Sequence, residues 1–237
     1  MKFGSILFTP VVKKLQERYG SRRQYERIAG SSAAREHFTA FEKEFLSDRD
    51  NFYWATISSS GWPYVQHRGG PPGFLKVIDD HTLAFADFSG NKQYITTGNL
   101  LTDNRAAMIF VDYPNQARLK VLGRVDVLER KDAAAWVDRV KVAGYKASIE
   151  RVLVIHVEAF DWNCQQHIVP RYTADQIHAA VHEIEERVVA LEAENEKLRR
   201  QLGITEPAVT GQKSPETKDE TKTKVSRRVK VEGADSP

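Results

Sequence analysis

The sequence has a single cysteine, Cys164, among 237 residues. That excludes an intrachain disulfide framework and a multi-cysteine metal site, and it fits a reducing cytoplasm. No apolar run approaches the ~18 residues that a membrane-spanning helix needs. The opening stretch MKFGSILFTPVVKK lacks an uninterrupted apolar segment followed by a small-residue cleavage site, so it does not read as a secretory signal. Excess charge is scarce too: 35 basic against 32 acidic residues leave a net +3, which does not by itself argue for nucleic acid, since that needs a strongly clustered basic face. There is no P-loop and no repeat on the scale of a solenoid unit. Among His67, His156, Cys164 and His167 no pair has the spacing of a known metal site, so no resident metal is expected. Aromatics are absent from residues 205–237, where Lys, Glu, Thr and Pro dominate. Such a segment cannot bury enough apolar area to offset its ordering entropy, and 204–237 is expected to be a disordered tail.

What is present suffices for one substantial domain with appendages, since 41% of residues are hydrophobic. An N-terminal helical region is expected over 1–47. Thr9-Pro10 supplies an N-cap and a first-turn proline for a helix to Tyr19, broken by Gly20. A second helix over 32–46 puts Phe38, Phe41 and Phe45 on one face. From residue 48 to 172 the pattern is β-rich. A hairpin over 52–57 and 62–67 turns at Ser58-Ser59-Ser60-Gly61, and a second over 74–78 and 82–87 turns at Asp79-Asp80-His81. A helix over 91–101, strands over 106–112 and 118–128, a helix over 132–142 and a long strand over 149–160 complete the domain. Six or seven strands joined by short turns predict a barrel, which removes exposed sheet edges.

Residues 175–203 carry a heptad pattern. Val181, Val188, Asn195 and Leu202 fall at a, and Ile177, Ile184, Leu191 and Leu198 at d. β-Branched residues at two a positions, leucine at two of the four d positions and one a-position asparagine favour a parallel two-stranded coiled coil in fixed register. Arg187 at g would face Glu192 at e of a second copy, and Glu194 would face Arg199, both attractive pairings. The chain is therefore expected to form a homodimer. The segment before the heptads contains Pro170 and no continuous basic helix, which argues against a basic-zipper DNA binder.

Three stretches carry candidate chemistry. In GWPYVQHRGG, Arg68 ends a strand beside flexible glycines and presents a fork suited to phosphate. In FADFSGNKQY, a strand gives way to a polar turn and a helix start, where Ser89, Asn91 and Lys92 would join free amides in holding an anion. In DWNCQQH, Trp162 offers a stacking face, and Asn163 and Gln166 offer amides.

Together the segments WPYVQHRGGPPGFLK, FADFSGNKQY and DWNCQQH resemble the pyridoxamine 5′-phosphate oxidase-like family of FMN-binding split β-barrels, over about 45–171. The resemblance implies a mainly β split barrel with flanking helices and FMN as cofactor. It gives Arg68 and Lys92 the phosphate, with Ser89, Asn91 and Gln93 in the phosphate and ribityl loop. Gln66, His67 and Asp87 would lie along the flavin ring, and Trp162, Asn163 and Gln166 would come from the second subunit of a barrel-faced dimer. It further implies a flavin-dependent oxidoreductase with a small-molecule redox substrate. The alternatives are a non-catalytic flavin-binding protein, or a split barrel holding deazaflavin F420 or haem. One departure bears on the substrate. Where the family's vitamin B6 oxidases carry a second basic residue on a continuous strand, Gly69-Gly70-Pro71-Pro72-Gly73 intervenes and Lys76 arrives late.

Overall fold

The computed structural model describes residues 2–30, 37–163 and 165–204. The chain divides into two compact units between Thr173 and Ala174.

In the first unit, helices α1 (Lys2–Leu7), α2 (Pro10–Arg18), α3 (Arg22–Gly30) and α4 (Ala40–Ser47) precede the sheet. Thr9 caps α2 by accepting from the Val12 N–H, with Pro10 at the first turn, and Gly20 follows at φ 77° as expected. Helix α1 and helix α3 had no clear sequence signal. Helix α4 corrects the expected 32–46 helix. It starts at Ala40, where the Thr39 N–H donates to the Glu42 carboxylate in a capping box. Phe38 packs into the core from outside the helix, and Phe41 is exposed rather than sharing its buried face. The expected beginning of that helix, at Ser32, lies outside the described residues.

Seven strands follow: β1 (Asn51–Ile57), β2 (Pro63–Gly69), β3 (Leu75–Val77), β4 (Thr82–Phe88), β5 (Arg105–Asp112), β6 (Ala117–Glu129) and β7 (Ile149–Trp162). Every pairing is antiparallel, in the order β2-β1-β5-β6-β7-β4-β3. Helix α5 (Ile95–Thr102) links β4 to β5, and α6 (Ala134–Val140) links β6 to β7. Strand β1 alternates, with Phe52, Trp54 and Thr56 pointing inward. Strand β7 is buried on both faces. Leu153 and Ile155 enter the barrel core, while Val152 and Val154 pack with Ala84 and Ala86 beneath Val140 of α6.

The sheet curls on itself. Strands β1 and β4 are far apart in strand order, yet the Phe85 ring lies 5.4 Å from Phe52 and 5.6 Å from Trp54. The end strands β2 and β3 form no ladder with each other among the described residues, so the barrel is split along that seam. A bulge between Leu122 and Gly123 bends β6 against β7. Gly123 lets the strands approach, because a Cβ there would stand 2.8 Å from Ile155 Cγ2 and 2.9 Å from the His156 carbonyl oxygen.

The second unit's described part is helix α7 (Ala174–Gln201), about 42 Å long at 1.5 Å per residue. It buries none of its side chains. Its apolar a and d residues, from Ile177 to Leu198, are between 45% and 63% exposed. The expected tail lies, from residue 205 on, outside the described residues.

Candidate functional site

The seam between β2 and β4 is bridged by side chains instead of a ladder. On β2, alternation turns Tyr64, Gln66 and Arg68 to one face and leaves Pro63, Val65 and His67 exposed on the other. Arg68 Nη1 donates to Asp87 Oδ1 of β4, and Arg151 Nη1 of β7 donates to Asp87 Oδ2 at 2.8 Å. One buried carboxylate therefore holds two guanidinium groups. The rings of Trp54 and Tyr94 lie 5.4 Å and 5.1 Å from the Arg68 and Arg151 guanidinium carbons. Glu150 takes Arg151 Nη2 at 3.2 Å. Burial works to lower the Arg151 pKa, but the hydrogen bond and charge of Asp87, with Glu129 and Glu150, raise it overall. Arg151 is a fixed cation.

Neither arginine is saturated. The buried Nε–H groups of Arg68 and Arg151 have no hydrogen-bond partner. Glu129 stands 3.6 Å from Arg151 Nε, an ion-pair distance beyond hydrogen-bond reach. Native structures seldom leave such donors unpaired.

Arg68, Asp87, Glu150 and Arg151 line a cavity of about 270 Å³ together with Asn91, Lys92, Gln93, Tyr94 and the first turn of α5. The expected helix start at Asn91 is corrected: α5 begins at Ile95, and 89–94 is a loop. Lys92 and Tyr94 adopt left-handed backbone, φ 59° and 53°, a costly geometry for residues with a Cβ that concentrates at functional sites. Tyr94 cannot cap the helix with its side chain, and Ile95, Thr96 and Thr97 line the cavity. The positive end of α5 thus borders it, four residues later than the sequence suggested. Thr96 Oγ1 donates to Gln66 Oε1 at 2.5 Å, and Asn99 donates to Thr56 at 3.0 Å, which fixes α5 on β2 and β1.

Of the residues expected at the site, Gln66, Arg68, Asp87, Asn91, Lys92 and Gln93 line this one cavity. Ser89 is exposed at its edge, held through its backbone N–H to the Ser148 carbonyl. His67 points to the other face of β2, its ring 5.3 Å from Tyr53. Trp162 packs between Phe41 and Phe45, and its indole N–H donates to Glu42 at 2.8 Å, so within the chain it serves the α4–β7 contact. Asn163 is engaged by Arg118 through backbone and side chain, and Gln166 is exposed in a turn. Sequence reasoning missed Arg151, Tyr94, Thr96 and Thr97. The only signal for Arg151 was a charge inside the apolar run of β7, and its pairing with Asp87 became visible only through strand register.

The lining carries three cations, Arg68, Lys92 and Arg151, against two carboxylates, Asp87 and Glu150. With unsaturated N–H donors and a helix N-terminus, this donor set fits a phosphate monoester. The volume falls just below the ~300 Å³ floor of ordinary small-molecule sites, so it suits a phosphate head and its linker rather than a whole ring system.

The family description "Pyridoxamine 5′-phosphate oxidase" matches residues 38–164, more than half of the chain. The chain belongs to the pyridoxamine 5′-phosphate oxidase family. Its barrel is accordingly the split β-barrel of that family. Similar solved structures include HupZ from Group A Streptococcus, 16% identical, covering 57% of this chain and 99% of that one with a TM-score of 0.41. An FMN-binding protein from Syntrophomonas wolfei is 12% identical, covering 62% and 97%, TM-score 0.42. A Clostridium acetobutylicum protein of the pyridoxinephosphate oxidase family, related to a general stress protein, is 15% identical, covering 58% and 94%, TM-score 0.39. No curated protein matches the chain. Among the described residues no helix is long and apolar enough to cross a membrane.

Proposed function

We propose that this family member is a cytoplasmic FMN-binding homodimer acting as a flavin-dependent oxidoreductase on a small-molecule substrate. The observation that carries the reading is the seam cavity. Two buried guanidinium groups share one carboxylate and keep unpaired N–H donors, beside Lys92 and the α5 N-terminus. Arg68 and Lys92 would hold the FMN phosphate, and Asn91 and Gln93 would bond the phosphate and ribityl oxygens. Asp87 would hold Arg68 and Arg151 in place. Bound there, FMN would supply hydride or electron transfer, while the protein binds and orients it.

A cavity sized for the phosphate end leaves the ring to a surface that a second copy completes, in line with a dimer-interface role for His67, Asn163 and Gln166. Two apolar surfaces support dimerisation. The a/d seam of α7 is exposed along its length, and parallel pairing would bury it with Asn195 in register. On the first unit, a groove of about 560 Å³ is bordered by Ile6, Leu7, Ile57 and Leu122.

The test is an absorption spectrum and light-scattering mass of the purified protein, beside Arg68→Ala, Lys92→Ala and the double variant. The expected result is a dimer with flavin bands, and variants that stay dimeric but lose the chromophore. Stoichiometric FMN retained in the double variant overturns the grip, a Soret or deazaflavin spectrum overturns the cofactor, and a monomeric mass overturns the dimer. Turnover of NAD(P)H by the holoprotein separates an oxidoreductase from a flavin carrier.

A further inference from the structure

We infer that His37, Asp80 and His81 form a binding site for one divalent transition-metal ion of the zinc, nickel and copper class, independent of the seam cavity. One ring nitrogen from each of His37 and His81 and an Asp80 carboxylate oxygen lie within 4.8 Å of one another. Around a four-coordinate ion with ligand distances of about 2.0–2.2 Å, neighbouring donors sit about 3.4 Å apart. Small rotations of these exposed side chains close the difference.

The backbone beneath them is already fixed. The Phe38 N–H donates to the Asp80 carbonyl at 2.6 Å, tying the residue after His37 to the residue before His81. The turn closes through Ile78 N–H to the Thr82 carbonyl at 2.9 Å, and the His81 N–H donates to Asp79 Oδ1 at 2.9 Å. Two histidines 44 positions apart are thereby held over one carboxylate, their rings 5.6 Å apart. This arrangement is more than a hydrogen-bonded pair. His81 Nδ1 bonds Asp80 Oδ1 at 2.7 Å, whereas His37 Nδ1 points at Oδ2 from 3.7 Å, too far for a hydrogen bond. Both imidazoles converge on a carboxylate that only one of them engages, and an ion between them would engage all three. Asp79, 3.7 Å from His81 Nδ1, is placed as a further oxygen donor, and solvent supplies the remaining positions. Two imidazoles with carboxylate oxygen select zinc, nickel or copper over magnesium and calcium. The ion would clip the segment before α4 to the β3–β4 turn.

The experiment is isothermal titration of the full-length, chelator-treated protein with zinc chloride, and in parallel with magnesium and calcium chloride. One equivalent of zinc per chain is expected with micromolar affinity. His37→Ala and His81→Ala should each weaken it by at least about tenfold, the loss seen even when a partner of a ligand is removed. Both side chains are exposed, so circular dichroism of the variants should match that of the parent. His178 and His182, one turn apart on α7, are the competing site. A His178→Ala/His182→Ala variant should keep the equivalent. Zinc binding that vanishes in that variant but survives loss of His37 and His81 overturns the inference. So does an absence of zinc binding, or magnesium or calcium bound as tightly as zinc.

Discussion

Asp87→Asn isolates the electrostatic job of the carboxylate at the seam, because the side chain keeps its shape and leaves no void. Asp87 exposes only 6% of its side chain, Arg151 10% and Arg68 17%. Removing the charge leaves two guanidinium groups facing one amide in a largely dry setting. Breaking a buried pair from one side costs about 3–5 kcal/mol. The cavity admits water beside Arg68, so the lower end applies, about 3 kcal/mol. At about 2–4 °C per kcal/mol for a unit of this size, the melting temperature should fall by about 6–12 °C. The assay is a thermal melt in low-salt buffer without phosphate, repeated across a phosphate titration. In the variant, phosphate takes the place of the lost carboxylate and should restore more stability than it adds to the parent. Saturation at a hundred times the Kd contributes about 2.7 kcal/mol. A loss below about 1 kcal/mol, the range of solvent-exposed pairs, would refute the idea of a shared buried carboxylate. An identical phosphate response in the two proteins would refute the replacement of the carboxylate, and no response in either would refute the anion site.

Two further outcomes follow from packing and from pH. Gly123→Ala should destabilise the first unit by about 1–3 kcal/mol, because its Cβ meets the His156 carbonyl, which cannot swing aside; unchanged urea denaturation would mean that the bulge relaxes. Burial raises the Glu42 pKa, but hydrogen bonds from Thr39 and Trp162 outweigh it and hold the carboxyl below its ordinary 4.5. Its stabilisation is therefore present above that value and lost as pH falls through the lower, folded one. The parent should exceed Glu42→Gln in stability at neutral pH and converge with it on acidification, and a pH-independent gap in urea midpoints would contradict this.

The strands were legible because their signals are local. β-Rich runs bounded by turn residues placed β1, β5 and β7 to within a residue or two, and Thr9-Pro10 placed α2. The heptads gave α7 within two residues at each end. Errors arose where a local pattern met a tertiary contact. The spacing of Phe38, Phe41 and Phe45 mimics one helix face, yet Phe38 belongs to the core before the cap at Thr39. The polar run after Ser89 reads as a helix start, but two left-handed residues delay the first turn to Ile95. Arg68 and Lys92 stood out by their local setting and gained their roles through the resemblance, which also supplied Asp87. Arg151 was missed, because its role depends on the β4–β7 register, which pairs it with Asp87. Trp162 looked available for stacking, and its Glu42 partner, 120 positions away, could not be read from its neighbours.

The bond between Asp87 and Arg151 has a consequence in time. It spans 64 positions and joins β4 to the last strand of the sheet. During synthesis, Arg68, Asp87 and Lys92 emerge long before Arg151, and contacts so distant in sequence form late. A nascent chain halted before β7 would have Arg68, Asp87 and Lys92 but no finished cavity. Ligand capture should therefore report completion of the sheet, rather than seed its assembly.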